Sequence, residues 1–461
     1  MIINHTERMG TAPALTSDMS TAMPRSVEAI LSARVSREII MSMPSPRDFL
    51  TSLFSAAVRA ADPLTGITAH LPEKPDGRTV VIGAGKGAAQ MARALESVWD
   101  GPLEGVVVTR YGYGCETDHI EIIEAAHPVP DAAGLAASRR LMETVAGLGE
   151  NDLVIALICG GGSALLPSPP EGLTLQDEIL LNELLLASGA PISAMNVVRK
   201  HLSTIKGGRL AAATKARVVS LIVSDIPGDN PAHVASGPTV PDGSTRHDAL
   251  QIIKQYSLKL PQAAIDHLNS PKADAPRPDD PAFAHHEHYI IASAGVSLEA
   301  AAELARSKGI TPAILSDSVE GESRDVALVH AAIAREVAGR DRPFTKPAVI
   351  LSGGETTVTL RSKGGKGGRN GEFALALALA IDGHNTIHVL AADTDGIDGS
   401  ENNAGAFSDG GTVKRLRAAG FDPRRVLDGN DSYSGFKAIG DLFETGPTGT
   451  NVNDFRAILI V

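Results

Sequence analysis

Thr79-Val80-Val81-Ile82-Gly83-Ala84-Gly85-Lys86-Gly87-Ala88-Ala89-Gln90-Met91-Ala92 joins an unbroken apolar run to a glycine turn and then to an alanine-rich segment that continues to Leu95. A run with no apolar/polar alternation suits a strand buried on both faces, glycines suit a tight turn, and alanine-rich text suits a helix. The same order recurs. Gly105–Thr109 reads as a second strand, and Asp152–Ile158 runs into Cys159-Gly160-Gly161-Gly162-Ser163. Val218–Val223 ends at Ser224-Asp225. Strands of this kind alternating with helices predict a parallel sheet covered on both faces, a Rossmann-like doubly wound α/β domain whose ligands gather outside the carboxyl ends of the strands.

Farther along, Pro271 to His288 is rich in Pro, Asp, Ala and His and reads as an exposed connection. A second α/β pattern follows, with strands at Tyr289–Ala292, Pro312–Leu315, Ala348–Leu351 and Ile387–Leu390. The expected organisation is therefore a first domain over 44–275 and a second over 287–461. Residues 1–43, rich in Ser, Thr, Met and Ala, read as a disordered leader, with Met41 or Met43 suited to starting the chain.

The chain has 461 residues, well beyond the roughly 100–200 typical of one domain. Apolar residues make up 43% and charged residues 21%, which is ordinary for a globular protein, and the net charge is -12. An acidic balance without a Lys/Arg run gives no footprint for nucleic acid or an anionic membrane. The two cysteines, Cys115 and Cys159, exclude a disulfide framework and suit a reducing, cytoplasmic setting. No run of about 18 apolar residues predicts a membrane span. Oligomeric state stays open, with a homo-oligomer compatible.

Gly83-Ala84-Gly85-Lys86-Gly87 combines glycines at a helix start with a cation, a combination that favours phosphate, although a plain turn with a solvated lysine fits equally. It is neither a complete P-loop nor a strict GxGxxG. Cys159–Ser163 is a second anion-friendly turn, in which Gly161, Gly162 and Ser163 offer amides and a hydroxyl and Cys159 reads as a packed side chain. Arg199, Lys200, His201, Lys206 and Arg209 lie within eleven residues, between two strands of one sheet, and supply cations suited to a substrate carboxylate or phosphate. Asp225 and Asp229 follow a strand end and suit a divalent ion or a hydroxyl proton. Ala235-Ser236-Gly237-Pro238-Thr239 comes soon after. In the second half, Ser352-Gly353-Gly354-Glu355 and Gly367-Gly368-Arg369-Asn370 are glycine-rich, and Arg369 suits charge spread over phosphoryl oxygens. Asp393-Thr394-Asp395-Gly396-Ile397-Asp398 supplies carboxylates after another strand at a spacing like that of calcium loops, but without the twelfth-position glutamate or flanking helices such a loop needs, so a magnesium-phosphate role suits it better.

Taken in order, these segments resemble the type II glycerate kinases, or glycerate 2-kinases, whose second domain is called MOFRL. The resemblance runs from Pro46 to Val461 and includes Val198-Arg199-Lys200-His201-Leu202 and the stretch Thr445–Asp454. One departure is Gly371, where members of the family more often carry a larger residue. The resemblance implies two domains with the active site in the cleft between them, and ATP and Mg2+ as requirements. It carries over Lys86 and Arg369 as catalytic, with Asp225 and Asp395 as base or metal holders. Gly83, Gly85, Gly161, Gly162, Ser163, Ser236, Gly237, Glu355 and Asn370 are expected around the nucleotide. Arg199, Lys200, His201 and Lys206 are expected around glycerate, and Asp225, Asp229 and Asp395 around the metal. The implied reaction phosphorylates the C2 hydroxyl. Two rivals remain: an NAD(P)H-dependent hydroxypyruvate reductase, with Glu104 as ribose partner, and a binding protein for a sugar acid or nucleotide without turnover.

Overall fold

The computed structural model describes residues 44–362 and 364–461; the expected leader lies outside them. Strands β1 (Thr79–Ala84), β2 (Glu104–Arg110), β3 (Ile120–Ala125), β4 (Leu153–Cys159), β5 (Arg217–Val223) and β6 (Glu287–Ala292) form one parallel sheet in the order β3-β2-β1-β4-β5-β6. That is the dinucleotide-binding strand order, whose direction reverses between β1 and β4. Alternate residues of β1 serve opposite faces, as a pleated strand requires. Val80 and Ile82 pack with Ala137, Leu141 and Val145 of helix Ala132–Val145. Val81 packs with Met91, Ala92 and Leu95 of helix Ala88–Val98.

The second sheet contains β7 (Thr311–Ser316), β9 (Ala348–Gly354), β11 (Ile387–Asp393), β12 (Gly405–Asp409), β13 (Leu442–Phe443) and β14 (Asp454–Ile460), in the order β13-β12-β11-β14-β9-β7. Only β7 and β9 run parallel; the other pairs are antiparallel. The short β8 (Gly321–Glu322) and β10 (Thr356–Thr357) pair beside it. On one face, helices Ser323–Arg340 and Arg369–Ala380 close a core that includes Ile350, Val389, Ile458 and Phe373.

Two features depart from the domain boundaries expected of the sequence. β6 pairs parallel with β5, so residues 287–292 complete the first sheet rather than open the second domain. The first helix of the described residues, α1 (Pro46–Ala60), packs on the second lobe. Ser45 caps it by accepting the Asp48 amide at 3.2 Å, Pro46 suits its first turn, and Phe49, Leu50, Leu53, Phe54 and Ala57 form its buried face. Phe54 meets Phe443 and Phe455 edge-on, with ring centroids 5.0 and 5.7 Å apart. Ser297 of helix α2 (Ala294–Ser307) donates its hydroxyl to the Ala57 carbonyl at 2.9 Å. From Pro46 onward the chain thus packs first on one lobe, builds the other and returns. Among the described residues, no helix is long and apolar enough to cross a membrane.

Candidate active site

A cleft of about 1100 Å³ lies between the lobes. Lys86, Arg110, Gly160 and Asp225 line it from the first sheet, where the strand order reverses, and Glu355, Arg369, Asp393 and Asp395 line it from the second.

The loop before Lys86 does not cradle an anion. Gly85 donates its amide to Val108, Lys86 to Gly160, Gly87 to the Cys159 sulfur and Ala88 to Gly85. All four are spent inside the protein. A Cβ on Gly85 would stand 2.3 Å from Cys159 Sγ, and one on Gly83 would stand 2.6 Å from the Leu157 carbonyl oxygen. These two glycines, expected at the nucleotide, let strands pack instead. The loop's contribution to the cleft is the Lys86 side chain. Cys159 is buried, with its thiol pushed up to about 12 by burial, as befits a packed side chain.

The second turn differs. Gly160, Gly161, Gly162 and Ser163 donate their amides to no acceptor among the described residues. Lys86 lies across this turn: a Cβ on Gly161 would be 2.9 Å from Lys86 Cγ and 3.1 Å from His127 Nε2. Asp225 covers Gly160 from β5, and burial pushes its carboxyl above the usual range against the opposing charge of Lys86. Burial, followed by the charges of Lys86 and Arg110, brings the His127 imidazole down to about 4, so it is neutral at neutral pH.

Arg369 opens helix α3 (Arg369–Ala380) and is held by three carboxylates: Asp454 at 2.6 Å, Asp393 at 2.6 Å and Glu355 at 2.9 Å. Burial opposes its charge, but Asp454 and Asp393 raise its pKa. A guanidinium has more N–H donors than these three bonds use. Asp398 accepts the amides of Asn370 and Gly371 at 2.9 and 2.8 Å, and burial pushes it up to about 6. Gly371 is sterically fixed, since a Cβ there would approach Ser432 Oγ to 2.6 Å. Asn370 is fully buried and donates to Asp454, so it braces Arg369 and does not face the cleft.

Other expected residues lie elsewhere. Arg199 donates to Asn182 and Asn196, Lys200 pairs with Asp242, and His201 lies between the Ala273 carbonyl and Ser244. Lys206 donates to Leu166 at 2.6 Å and to Glu178 at 2.8 Å. None of these four lines the cleft. Lys200 and Lys206 are paired with carboxylates of the first lobe, while Arg199 and His201 are hydrogen-bonded to uncharged groups there, so the cleft does not bring together the four residues expected around glycerate. Ser236 is buried; its hydroxyl donates to Asn196 and lies 2.9 Å from that of Ser163, so it supports the turn from behind, while Gly237 packs against the Ala232 carbonyl.

The expected metal set does not converge. Asp229 Oδ2 lies beside Gly295, and Asp395 accepts the Ile397 amide and Asn451 Nδ2. Among the described residues, no three His, Cys, Asp or Glu side chains are arranged to hold a metal ion. Sequence reasoning missed Arg110 and His127, and it read Asp393 and Asp454 as motif residues without assigning them a place in the site. Arg110 immediately follows the strand read as Gly105–Thr109, so the strand-end rule carried the signal for it. The others depend on loop paths and pairings that periodicity does not carry.

Residues 49–269 match the family described as Domain of unknown function (DUF4147), and residues 348–454 match the MOFRL family. The chain is 41% identical over 431 residues to the glycerate 2-kinase of Pyrococcus horikoshii, covering 90% of this chain and 97% of that one. It is 51% identical over 423 residues to a protein of Agrobacterium vitis provisionally named hydroxypyruvate reductase, covering 90% and 95%. The crystal structure of glycerate kinase from Thermotoga maritima superposes with a TM-score of 0.83 at 39% identity, over 90% of this chain and all of that one. With both regions matched in order and relatives aligned along most of its length, the chain belongs to the glycerate 2-kinase family, the type II glycerate kinases.

Proposed function

We propose that this protein transfers the γ-phosphoryl group of ATP to the C2 hydroxyl of glycerate, giving 2-phosphoglycerate and ADP. The observation that carries the reading is the pairing across one cleft of Lys86, which has no carboxylate partner among the described residues, with Arg369, which three carboxylates hold in place. Phosphoryl transfer asks the protein mostly for positioning and charge stabilisation. Lys86 and the unused donors of Arg369 hold the transferring group from opposite lobes, and the amides of Gly160–Ser163 take its remaining oxygens. Asp225, with its raised pKa and its place beside Lys86, accepts the hydroxyl proton as the oxygen attacks phosphorus and the bond to ADP breaks. Asp395 is the weaker candidate because both its oxygens accept hydrogen bonds from the protein. Mg2+ enters with ATP as part of the substrate. The unpaired thiols of Cys115 and Cys159 support a cytoplasmic setting.

The provisional name of the Agrobacterium relatives raises reductase chemistry. The first turn speaks against it, because the space at Gly85 that would admit a pyrophosphate is filled by Cys159. Glu104 stands at the start of β2, away from the cleft, and is paired with Arg78 at 2.6 Å. The test is an assay with ATP, Mg2+ and D-glycerate coupled to enolase without phosphoglycerate mutase, so that only 2-phosphoglycerate gives signal. Signal supports the reading; ADP release without it overturns the C2 position; and oxidation of NADH or NADPH by hydroxypyruvate in place of either overturns the kinase.

A further inference from the structure

We propose that Arg110 binds the carboxylate of the acceptor acid, an inference that rests on the kinase reading above. Arg110 is the last residue of β2, one strand from Lys86 at the point where the strand order reverses. Thr109, immediately before it, donates its hydroxyl to the Lys86 carbonyl at 3.0 Å, so the two cations are held in adjoining loops. The Arg110 guanidinium lies over the Tyr113 ring, its carbon 3.5 Å from the ring centroid. Stacking uses the face of the group and leaves its N–H edge to another partner.

The platform is itself fixed. Glu124 accepts the amides of Gly112 and Gly114, and Gln90 donates to the Tyr113 carbonyl. Yet Arg110 forms no ion pair among the described residues, and its Nε is buried with no hydrogen-bond acceptor. A buried donor left unmet is costly; the carboxylate of Glu124 is taken by the Gly112 and Gly114 amides, and Lys86, which acts with Arg110 on His127, is another cation. The missing partner is an anion from the cleft.

The two cations divide the work by shape. Lys86 faces Asp225 and the second lobe and suits the transferring phosphoryl group as a point charge. The planar edge of Arg110 matches a carboxylate bidentately. His127, neutral and close to both, adds a hydrogen-bonding group without a charge.

The test compares wild type, Arg110→Gln and Arg110→Lys with D-glycerate and with glycerol, which has the hydroxyls but no carboxylate. In Arg110→Gln, KM for D-glycerate rises about 10- to 100-fold, KM for ATP stays constant and the preference for glycerate over glycerol falls; Arg110→Lys recovers part of it. A rise in KM for ATP with KM for glycerate unmoved assigns Arg110 to nucleotide phosphate and overturns the proposal. So does an unchanged glycerate preference. Calorimetric titration with D-glycerate alone separates this from the kinase reading: weaker binding in Arg110→Gln upholds the carboxylate role whatever the turnover, and equal binding, or none in wild type, overturns it.

Discussion

The carboxylate of Asp225 occupies the space a side chain on Gly160 would take: a Cβ there would stand 1.9 Å from Oδ2 and 2.9 Å from Oδ1. The two residues follow neighbouring strands, β4 and β5, so the glycine at one strand end admits the acid from the other. Asn453 donates to the Asp225 carbonyl at 3.0 Å and ties this position to the second lobe. Gly160 has no positive φ, so alanine is tolerated by the backbone there and only Asp225 must move. Gly160→Ala is expected to lower kcat about 10²- to 10⁴-fold, as loss of a general base does, and to match Asp225→Asn. Near-normal kcat in Gly160→Ala with an intact thermal transition removes Asp225 from the chemistry.

Lys86 and Arg369 separate on stability. Lys86 has no ion-pair partner among the described residues, so Lys86→Ala is expected to leave the fold within about 0.5 kcal/mol of wild type while turnover falls about 10³- to 10⁵-fold. Arg369→Ala leaves Asp393 without its cation and leaves Asp454, which is fully buried, with Arg456 as its one remaining countercharge among the described residues. Breaking such a set costs about 3–5 kcal/mol. Arg369→Ala is therefore expected to be a folding variant as well as a catalytic one. Denaturant midpoints beside kcat for both variants check the contrast.

The pH behaviour has two sources with different readouts. His127 titrates at about 4 in the folded chain against 6.5 in an ordinary setting. Between those values the unfolded chain takes up a proton that the folded chain refuses, so this group's contribution to stability is present above 6.5 and is lost as pH falls towards 4. His127→Asn is expected to flatten that part of the stability profile. Asp225 carries a raised pKa, so the acidic limb of kcat is expected above the ordinary carboxylate range, with activity falling as pH drops through it. A limb at the ordinary value, or one unchanged in Asp225→Asn, rules Asp225 out as the base.

The first sheet was legible because its strands are continuous apolar runs ending in glycines. Lys86 and Arg369, expected at the site through the family resemblance, both line the cleft. What sequence could not supply was the partner. Lys206 reads as a free cation until Glu178, 28 residues earlier, is found beside it. Glycines at 83 and 85 read as ligand turns, although their missing side chains make room for Leu157 and Cys159. The run at 289–292 has the same pattern whichever sheet takes it, and the pairing of β6 with β5 decided the matter. Each miss concerns a residue whose meaning is set by an atom distant in sequence.

The placement of α1 gives the last test. This helix precedes the whole first sheet, yet its buried face lies on α2 and the second sheet, where Phe54 touches Phe443 and Phe455. Thr450 adds a hydroxyl donated to the Ala61 carbonyl at 2.8 Å, and Arg47 pairs with Asp441. A second lobe expressed from residue 293 lacks that cover and exposes both phenylalanines to water. Burying one large apolar side chain is worth roughly 1.5–3 kcal/mol, so losing the helix outweighs much of a domain's marginal stability. The isolated fragment is expected to aggregate or melt without a cooperative transition, and adding a 44–62 peptide is expected to restore one. In the full chain, Phe54→Ala is expected to cost about 3–5 kcal/mol, read from the denaturant midpoint of the second lobe. A fragment that folds cooperatively without the peptide would show that α1 rests on the second lobe without supporting it.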